Sequence, residues 1–349
     1  MVTDEVPEIW RDLPRTRSLD ALDRHRFEVE VLAAHRPCIL RGQAADWPIV
    51  TAGRAGPEAL DTYLRRHATD RTAELWVGPG ALDGRFRYTP DFRAMNFERR
   101  LATIPQICEL LKACRGEPSP PSLFAGAIYL PDVLPGILPE LPLPLLAETQ
   151  SRVTSLWIGN GSRTAAHYDR PHNLATAVAG ARTFLLFPTA QVRNLYVGPV
   201  DFTIAGQAIS LVDCENPDYD RHPRFRDALA AAEMAVLTPG DTLYIPPLWW
   251  HYVRSVDPMG ALVNAWWMAE PADRLSPMDT LMHALLTLRH LSPEERDGWK
   301  SIFAHYVFEA DPADLAHIPP QGLGVLGEMD EAARGRLRRY LADQLGRKT

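Results

Sequence analysis

The 349-residue chain has few cysteines and lacks long apolar runs, which excludes several classes of protein. Its four cysteines are scattered without a Cys-x-x-Cys pair, which argues against a disulfide framework or a thiolate metal site. No apolar run approaches the length of a membrane span, and the N-terminus has neither the basic nor the apolar region of a signal peptide. We therefore expect a soluble, cytoplasmic protein with reduced thiols.

Lysine is also scarce, because only three of the 37 basic residues are lysine and arginine supplies the rest. The formal net charge is −7, and no basic run is longer than a few residues. Neither a membrane nor nucleic acid is therefore expected as the main partner. The hydrophobic content of 46% is ordinary for a globular protein and is enough for a sizeable core.

Short β-type runs separated by turn residues occupy the middle of the chain. They predict strands over 155–158, 164–168, 174–178, 183–187, 234–237, 242–245, 251–256 and 262–268. About eight short strands with turns between them indicate an all-β barrel or jelly roll. A long connection over 188–233 interrupts this core as an insertion.

Helical patterns flank the strands on both sides. They predict helices over 57–67 and 103–114 before the core, and over 278–288, 293–308 and 330–345 after it. Ser292-Pro293-Glu294-Glu295 forms a capping box with proline at the first helical position, which is a specific start signal. We therefore divide the chain into an α/β flank over 1–120, a β core over 121–270 and a helical region over 271–349.

Two short segments contain residue types that bind metal ions. In Thr164-Ala165-Ala166-His167-Tyr168-Asp169, an extended backbone would place His167 and Asp169 on the same face. In the segment 239–251, a Pro-Gly-Asp turn and a short strand lead to Pro246-Pro247, two tryptophans and His251. A lone His-x-Asp pair is common, but two imidazoles and one carboxylate together form the open three-ligand set of non-haem Fe(II) oxygenases.

With these two segments the chain resembles the Jumonji-C (cupin-like) family of Fe(II)- and 2-oxoglutarate-dependent oxygenases. Within that family, it most resembles the branch of the asparaginyl hydroxylase called factor inhibiting HIF. The resemblance covers roughly 36–48 and 124–268 and implies a mainly β fold with flanking helices around a double-stranded β-helix (jelly-roll or cupin) core. It also implies Fe(II), 2-oxoglutarate and O2, with His167, Asp169 and His251 as metal ligands and no further catalytic side chain.

The resemblance further implies which residues bind 2-oxoglutarate. Arg182 falls where the relatives typically have a lysine that anchors the far carboxylate, and arginine can pair bidentately with such a group. The alternative is a surface arginine that opens a strand. Tyr129, Thr164, Asn173 and Asn264 fall where the asparaginyl hydroxylase has polar groups on 2-oxoglutarate, although each alone has an ordinary structural explanation.

The resemblance implies less about the residues that bind the substrate. The glutamine that grips the peptide in the asparaginyl hydroxylase falls by spacing on Ile209, with Gln207 nearby, and Trp249 and Trp266 are the candidates for a pocket wall. The segment 83–100, rich in arginine and aromatic residues, is either a substrate-facing hairpin or a solvated surface.

The expected reaction is hydroxylation of a C–H bond in a protein or peptide side chain, with release of succinate and CO2. A small-molecule hydroxylase and a methyl-lysine demethylase are alternatives that use the same chemistry. A non-catalytic metal-binding scaffold is an alternative from a different class. Because related hydroxylases dimerise through C-terminal helices, the resemblance also implies a homodimer.

Overall fold

The computed structural model describes residues 6–268 and 276–346. The chain divides into two compact units, Met1–Ala269 and Glu270–Thr349. Within the described residues, no helix is both long and apolar enough to cross a membrane.

The first unit is built mainly from short strands. In chain order they are β1 (Ser18–Asp20), β2 (Cys38–Arg41), β3 (Thr72–Gly78), β4 (Glu98–Thr103), β5 (Ser122–Tyr129), β6 (Arg152–Gly159), β7 (Ser162–Tyr168), β8 (His172–Ala179), β9 (Arg182–Phe187), β10 (Glu233–Leu237), β11 (Thr242–Ile245), β12 (Trp250–Ser255) and β13 (Gly260–Trp267).

These strands form two sheets. The large sheet has nine strands in the order β1-β2-β11-β8-β13-β6-β5-β3-β4, and the small sheet has four in the order β10-β9-β12-β7. Only the β1–β2 pair is parallel among the pairings of described strands. This arrangement of mostly antiparallel sheets with flanking helices confirms the predicted mainly β, jelly-roll type of core.

Helices flank the sheets. In the first unit they are α1 (Arg24–Phe27), α2 (Pro48–Ala55), α3 (Pro57–His67), α4 (Ile104–Ala113), α5 (Leu130–Val133) and α6 (Phe225–Ala230). The second unit contains α7 (Pro277–Thr287), α8 (Pro293–Phe303) and α9 (Glu331–Gly346). The predicted capping box is present at the start of α8, where Ser292 and Glu295 bond each other's backbone.

The core of the first unit lies in separate layers. Between the two sheets, apolar side chains of β8, β11 and β13 pack against those of β9 and β10. On the outer face of the large sheet, α2, α3 and α4 cover a second layer. Gly53 allows α2 to approach β8 closely, because a Cβ at this position would collide with the carbonyl oxygen of Val178.

The small sheet is covered on its outer face by the insertion between β9 and β10. Leu195, Val212, Cys214 and Phe225 of this insertion pack against Leu185 and Tyr252, which belong to β9 and β12. The predicted long connection over 188–233 is therefore a packed layer, and α6 is its one α-helix within the described residues.

Candidate metal centre

His167, Asp169 and His251 come together at one end of the small sheet. His167 on β7 and His251 on β12 lie directly opposite each other in the antiparallel pairing, with ring centroids 4.2 Å apart. Asp169 follows β7 directly, and its Oδ2 lies 3.6 Å from Nε2 of His251. One ligand atom from each residue lies within 4.8 Å of the other two, so the three side chains are placed to share a single ion.

A tight turn holds the two ligand-bearing segments against each other. The backbone N–H of Leu248 donates to the carbonyl oxygen of Asp169 over 2.8 Å. Leu248 adopts a left-handed backbone conformation with φ of 65°, and its own carbonyl accepts a 2.9 Å hydrogen bond from Thr189 Oγ1. Pro246-Pro247 ends β11 just before this turn. The chain then reverses direction, and β12 begins with Trp250 and His251.

The hydrogen bonds of the two imidazoles involve Nδ1 and leave Nε2 of each ring free for a metal. Nδ1 of His167 lies 2.9 Å from the carbonyl oxygen of Ala165, and Nδ1 of His251 lies 3.1 Å from that of Trp249. Because a carbonyl oxygen can only accept, each Nδ1 carries the proton and each Nε2 offers its lone pair. Burial, with His167 as a second cause, lowers the pKa of His251 to about 4, so this imidazole is neutral at neutral pH.

Three side chains donate hydrogen bonds to the buried carboxylate of Asp169. Gln207 Nε2 donates to Oδ1 over 3.2 Å, while Trp266 Nε1 and Asn173 Nδ2 donate to Oδ2 over 3.1 and 3.4 Å. Gln207 comes from the insertion, where the sequence offers no periodicity from which its position could be inferred. Such donors orient a carboxylate ligand.

A first cavity, which we call the inner cavity, contains the three metal-binding candidates together with Thr164, Asn173, Arg182 and Asn264. The amide of Asn264 accepts a 2.7 Å hydrogen bond from Trp157 Nε1 and donates to Asn173 Oδ1 over 3.3 Å. Asn173 in turn donates to Asp169, so one chain of hydrogen bonds runs from the indole to the candidate metal ligand. Four of the five residues that the resemblance assigned to 2-oxoglutarate thus lie in one cavity.

Arg182 is a buried cation in this cavity. Its exposed fraction is 3%, and its Nε has no hydrogen-bond partner among the described residues. Burial lowers the pKa of Arg182 to about 10, with Asp257 acting in the opposite direction, so the guanidinium is charged at neutral pH. A buried cation with an unused donor is a suitable partner for a carboxylate ligand. The alternative of a surface arginine is wrong.

Two predicted site residues lie outside the cavity. Tyr129 is 44% exposed and lines neither of the cavities described in this section. Tyr129 lies just after an irregularity in β5, where Ala127 has a φ of 51° and the pairing with β6 shifts register between Ala125 and Ile128. Trp249 packs between the sheets, contributes its carbonyl oxygen to His251 and lines neither of the two cavities.

A second cavity, which we call the outer cavity, meets the inner one at the candidate metal ligands. Its volume is about 240 Å³. Phe124, Trp157, Thr164, His167, Asp169 and Trp266 line both cavities. The outer cavity is completed by residues of β3, the 83–100 segment, β5, β7 and the insertion, namely Trp76, Phe86, Ala127, Ala165, Ile204, Ala205, Gln207 and Ile209.

The structure also decides between the two interpretations of the segment 83–100. Phe86 and Tyr88 are buried, and Phe86 lines the outer cavity. An isolated bridge between Tyr88 and Met95 gives the segment a hairpin-like shape. The segment therefore forms part of the cavity wall and is not simply a solvated surface.

Comparison with known proteins agrees with this site. Residues 24–273 match the model of the cupin-like domain family. The chain belongs to this family. Among curated cupin-like relatives, it is 27% identical to Jumonji C domain-containing protein 5 of Drosophila melanogaster over 268 residues, which are 73% of this chain and 60% of that protein.

Two further relatives match smaller parts. Lysine-specific demethylase 8 of Xenopus tropicalis is 26% identical over 249 residues, 69% of this chain and 50% of the relative. HSPB1-associated protein 1 of Bos taurus is 36% identical over 115 residues, 32% of this chain and 23% of the relative. The chain thus spans between about a quarter and three fifths of the length of these relatives. The name of the Drosophila melanogaster protein refers to a Jumonji C domain, and none of the three names singles out the asparaginyl hydroxylase branch.

Proposed function

We propose that this chain is an Fe(II)- and 2-oxoglutarate-dependent oxygenase that hydroxylates a C–H bond in a protein or peptide side chain. One observation carries the proposal: the His167, Asp169 and His251 triad lines the same cavity as the buried, incompletely bonded Arg182. A metal site alone would fit many proteins, and a buried arginine alone would fit many anions. Their combination in one cavity fits a dicarboxylate that reaches from the metal to a cation.

The triad would hold iron and leave three coordination positions for other ligands. Bound Fe(II) with 2-oxoglutarate as the two-electron donor would activate O2, so that one oxygen atom enters the C–H bond and the other enters succinate as CO2 is lost. The chain's own contribution is orientation. The carbonyl oxygens of Ala165 and Trp249 fix the two imidazoles, and Gln207, Trp266 and Asn173 fix the carboxylate.

Arg182 would bind the carboxylate of 2-oxoglutarate that is remote from the metal. A guanidinium offers two parallel N–H donors, which suits this planar group. Thr164, Asn173 and Asn264 are the remaining uncharged polar residues of the inner cavity. Phe124, Trp157 and Trp266 supply apolar walls that would limit the access of water to the site.

The metal and co-substrate are tested by anaerobic titration of the purified apoprotein with Fe(II) and 2-oxoglutarate. We expect a visible charge-transfer band from the chelate, followed by slow succinate formation when O2 is admitted. His167→Ala and Asp169→Ala should lose the band and turnover. The matched control is His172→Gln, since His172 is not a member of the triad. Its Nδ1 forms a 2.9 Å hydrogen bond with Tyr244 Oη. A wild-type protein without a band would contradict the proposal.

Arg182→Met tests the co-substrate site separately from the metal site. We expect this variant to bind Fe(II) like the wild type but to bind 2-oxoglutarate about 10- to 100-fold more weakly, because a charge-assisted hydrogen bond is lost. The measurement is the 2-oxoglutarate dependence of the anaerobic band. Unchanged 2-oxoglutarate affinity would show that the carboxylate binds elsewhere.

Demethylation of methylated lysine is the second candidate function. It is favoured by the names of two relatives, lysine-specific demethylase 8 of Xenopus tropicalis and lysine-specific demethylase JMJ30 of Arabidopsis thaliana. The iron chemistry would be the same, so the metal and co-substrate experiments do not separate the two candidates. The two candidates differ in the side chain that the outer cavity would have to bind.

A further inference from the structure

The outer cavity is the space next to the triad that remains for the group to be oxidised, if the inner cavity takes 2-oxoglutarate. Its volume of about 240 Å³ is below the usual range for drug-sized ligands, which begins at about 300 Å³. It therefore has room for one side chain. This step rests on the proposed function.

The described lining of the outer cavity contains one charged carboxylate, that of Asp169. This carboxylate is a candidate metal ligand and already accepts three hydrogen bonds. With a divalent ion bound, it would provide no negative charge for a second cation. A buried ammonium group without a counter-charge is strongly disfavoured, so the lining is unsuited to a charged lysine side chain.

An aromatic wall can attract a cation through its ring faces, but here a cation of the protein already uses part of this wall. The guanidinium of Arg99 lies 5.6 Å from the ring centre of Trp76 and 5.8 Å from that of Phe97. Arg99 also donates to the carbonyl oxygen of Ile204 and pairs with Glu74 over 3.2 Å. A positive charge already in contact with the ring of Trp76 weakens the attraction that this ring could offer to a second cation.

The polar groups of the wall are also mostly used. Nε1 of Trp157 donates to Asn264, and Nε1 of Trp266 donates to Asp169. Gln207 uses its amide nitrogen on Asp169, while Ile204 and Ile209 present only carbon. The surface facing the guest is therefore largely aromatic and aliphatic.

We infer that the outer cavity binds an uncharged, apolar side chain, aliphatic or aromatic, as the group to be oxidised. A methylated lysine side chain is positively charged, and the described lining of the outer cavity offers it no counter-charge. The hydroxylation of such a side chain breaks one C–H bond and forms one C–O bond, and 2-oxoglutarate and O2 supply the electrons and the oxygen atom.

The test uses the full chain loaded with Fe(II) and 2-oxoglutarate. Succinate formation without any prime substrate is measured first, since its absence would indicate failure of the proposed function and not of this inference. The rate is then measured with N-acetyl amides of leucine and phenylalanine, and with N-acetyl-trimethyllysine amide at the same concentration. We expect leucine or phenylalanine to increase turnover about tenfold more than trimethyllysine does, with a product heavier by one oxygen atom.

A matched pair of variants checks that the charge of the lining is the cause. Ile209→Asp places a carboxylate in the outer cavity, and Ile209→Asn has nearly the same shape without the charge. We expect trimethyllysine to be preferred by Ile209→Asp only. Formaldehyde release from trimethyllysine by the wild type, or equal responses to all three probes including no response to any, would overturn the inference. The wild-type comparison decides the question even if neither variant folds.

Discussion

At the scale of single residues, Asp169 is the side chain on which the hydrogen bonds of the site converge. Trp266 and Asn173 donate to Oδ2, and Gln207 donates to Oδ1. The three donors come from β13, β8 and the insertion, so the carboxylate is oriented by parts of the fold that are distant in sequence. This orientation has a measurable consequence for metal binding.

Trp266→Phe keeps an aromatic ring in the cavity wall and removes the N–H donor. We expect the affinity for a divalent metal to fall about 10- to 100-fold, as is typical when a hydrogen bond to a metal ligand is lost. The measurement is titration with Co(II), followed by its visible absorption. Trp267→Phe is the matched control, because Trp267 is the next residue of β13 and stacks on His172 with ring centres 5.0 Å apart. Equal affinity in both variants would contradict the role of Trp266.

The candidate ligands could be predicted from the sequence, whereas some of their neighbours could not. An extended His-x-Asp pair puts both side chains on one face, and Pro246-Pro247 predicted the end of a strand just before His251. Gln207 contacts Asp169 from the insertion, 38 residues further along the chain. Tyr129 was predicted by its position in the sequence alone, but its side chain is 44% exposed and lines neither cavity. Iron binding itself stays a prediction.

At the scale of elements, the insertion between β9 and β10 is joined to the strands by a partly buried ionic cluster. Glu215 of the insertion accepts a 2.7 Å hydrogen bond from Tyr252 Oη and pairs with Arg163 and Arg254 over 3.0 and 3.2 Å. Arg85 also pairs with it over 3.4 Å. The same insertion contributes Ile204, Gln207 and Ile209 to the outer cavity, so the cluster holds one wall of the site in place.

Glu215→Gln should destabilise the first unit. The change leaves several partly buried arginines with less counter-charge. Removal of one partner from a fully buried pair typically costs about 3 kcal/mol or more, so we expect a smaller loss here, of about 1 to 3 kcal/mol. The free energy of unfolding, measured in urea, checks the expectation. The control is Glu98→Gln, since Glu98 pairs with Arg100 at an exposed position, where such a pair contributes about 0.5 kcal/mol or less. Similar small losses in both variants would show that the cluster is not important for stability.

The strands of the core could be predicted better than the strands of the flank. The eight predicted strands all occur, with ends that differ by up to three residues. In β3, buried residues alternate in part with exposed ones, so its pattern was available although we did not predict it. In β4, the run Glu98-Arg99-Arg100-Leu101 is exposed at the sheet edge, and its sequence has no hydrophobic alternation. Such an edge strand is defined by its pairing with β3 and not by its composition.

At the scale of the whole molecule, the second unit exposes many apolar side chains. No described residue of α7, α8 or α9 is buried. Residues of α7, α8 and the π-helical turn Ala304–Phe308 that continues α8 line a groove of about 980 Å³. Large hydrophobic side chains are exposed on these helices and on the turn, namely Leu281, Met282, Leu286, Trp299, Ile302, Tyr306, Val307, Phe308, Tyr340, Leu341 and Leu345. Apolar surfaces of this kind mark interaction sites.

We propose that a second copy of this chain covers the second unit, which gives a homodimer. Identical helices with the same exposed face can pair about a two-fold axis, because the same patch then serves both partners. The charges are compatible with this pairing, since the first turn of α8 carries Glu294 and Glu295 while α9 carries Arg334, Arg336, Arg338 and Arg339. The mass in solution, measured by light scattering after gel filtration, should be twice that of the 39.0 kDa chain.

Ile302→Asp tests this surface, because it places a charge on an apolar face of the second unit, whereas the candidate metal ligands belong to the first unit. Ile302 is 45% exposed, and we expect the variant to be a monomer that still gives the Fe(II) and 2-oxoglutarate band. Leu110→Asp is the matched control, since Leu110 is 42% exposed on α4 of the first unit and should leave the dimer intact. A monomeric wild type would refute the dimer. A dimer that survives Ile302→Asp would place the interface away from this face and leave the apolar groove to another partner.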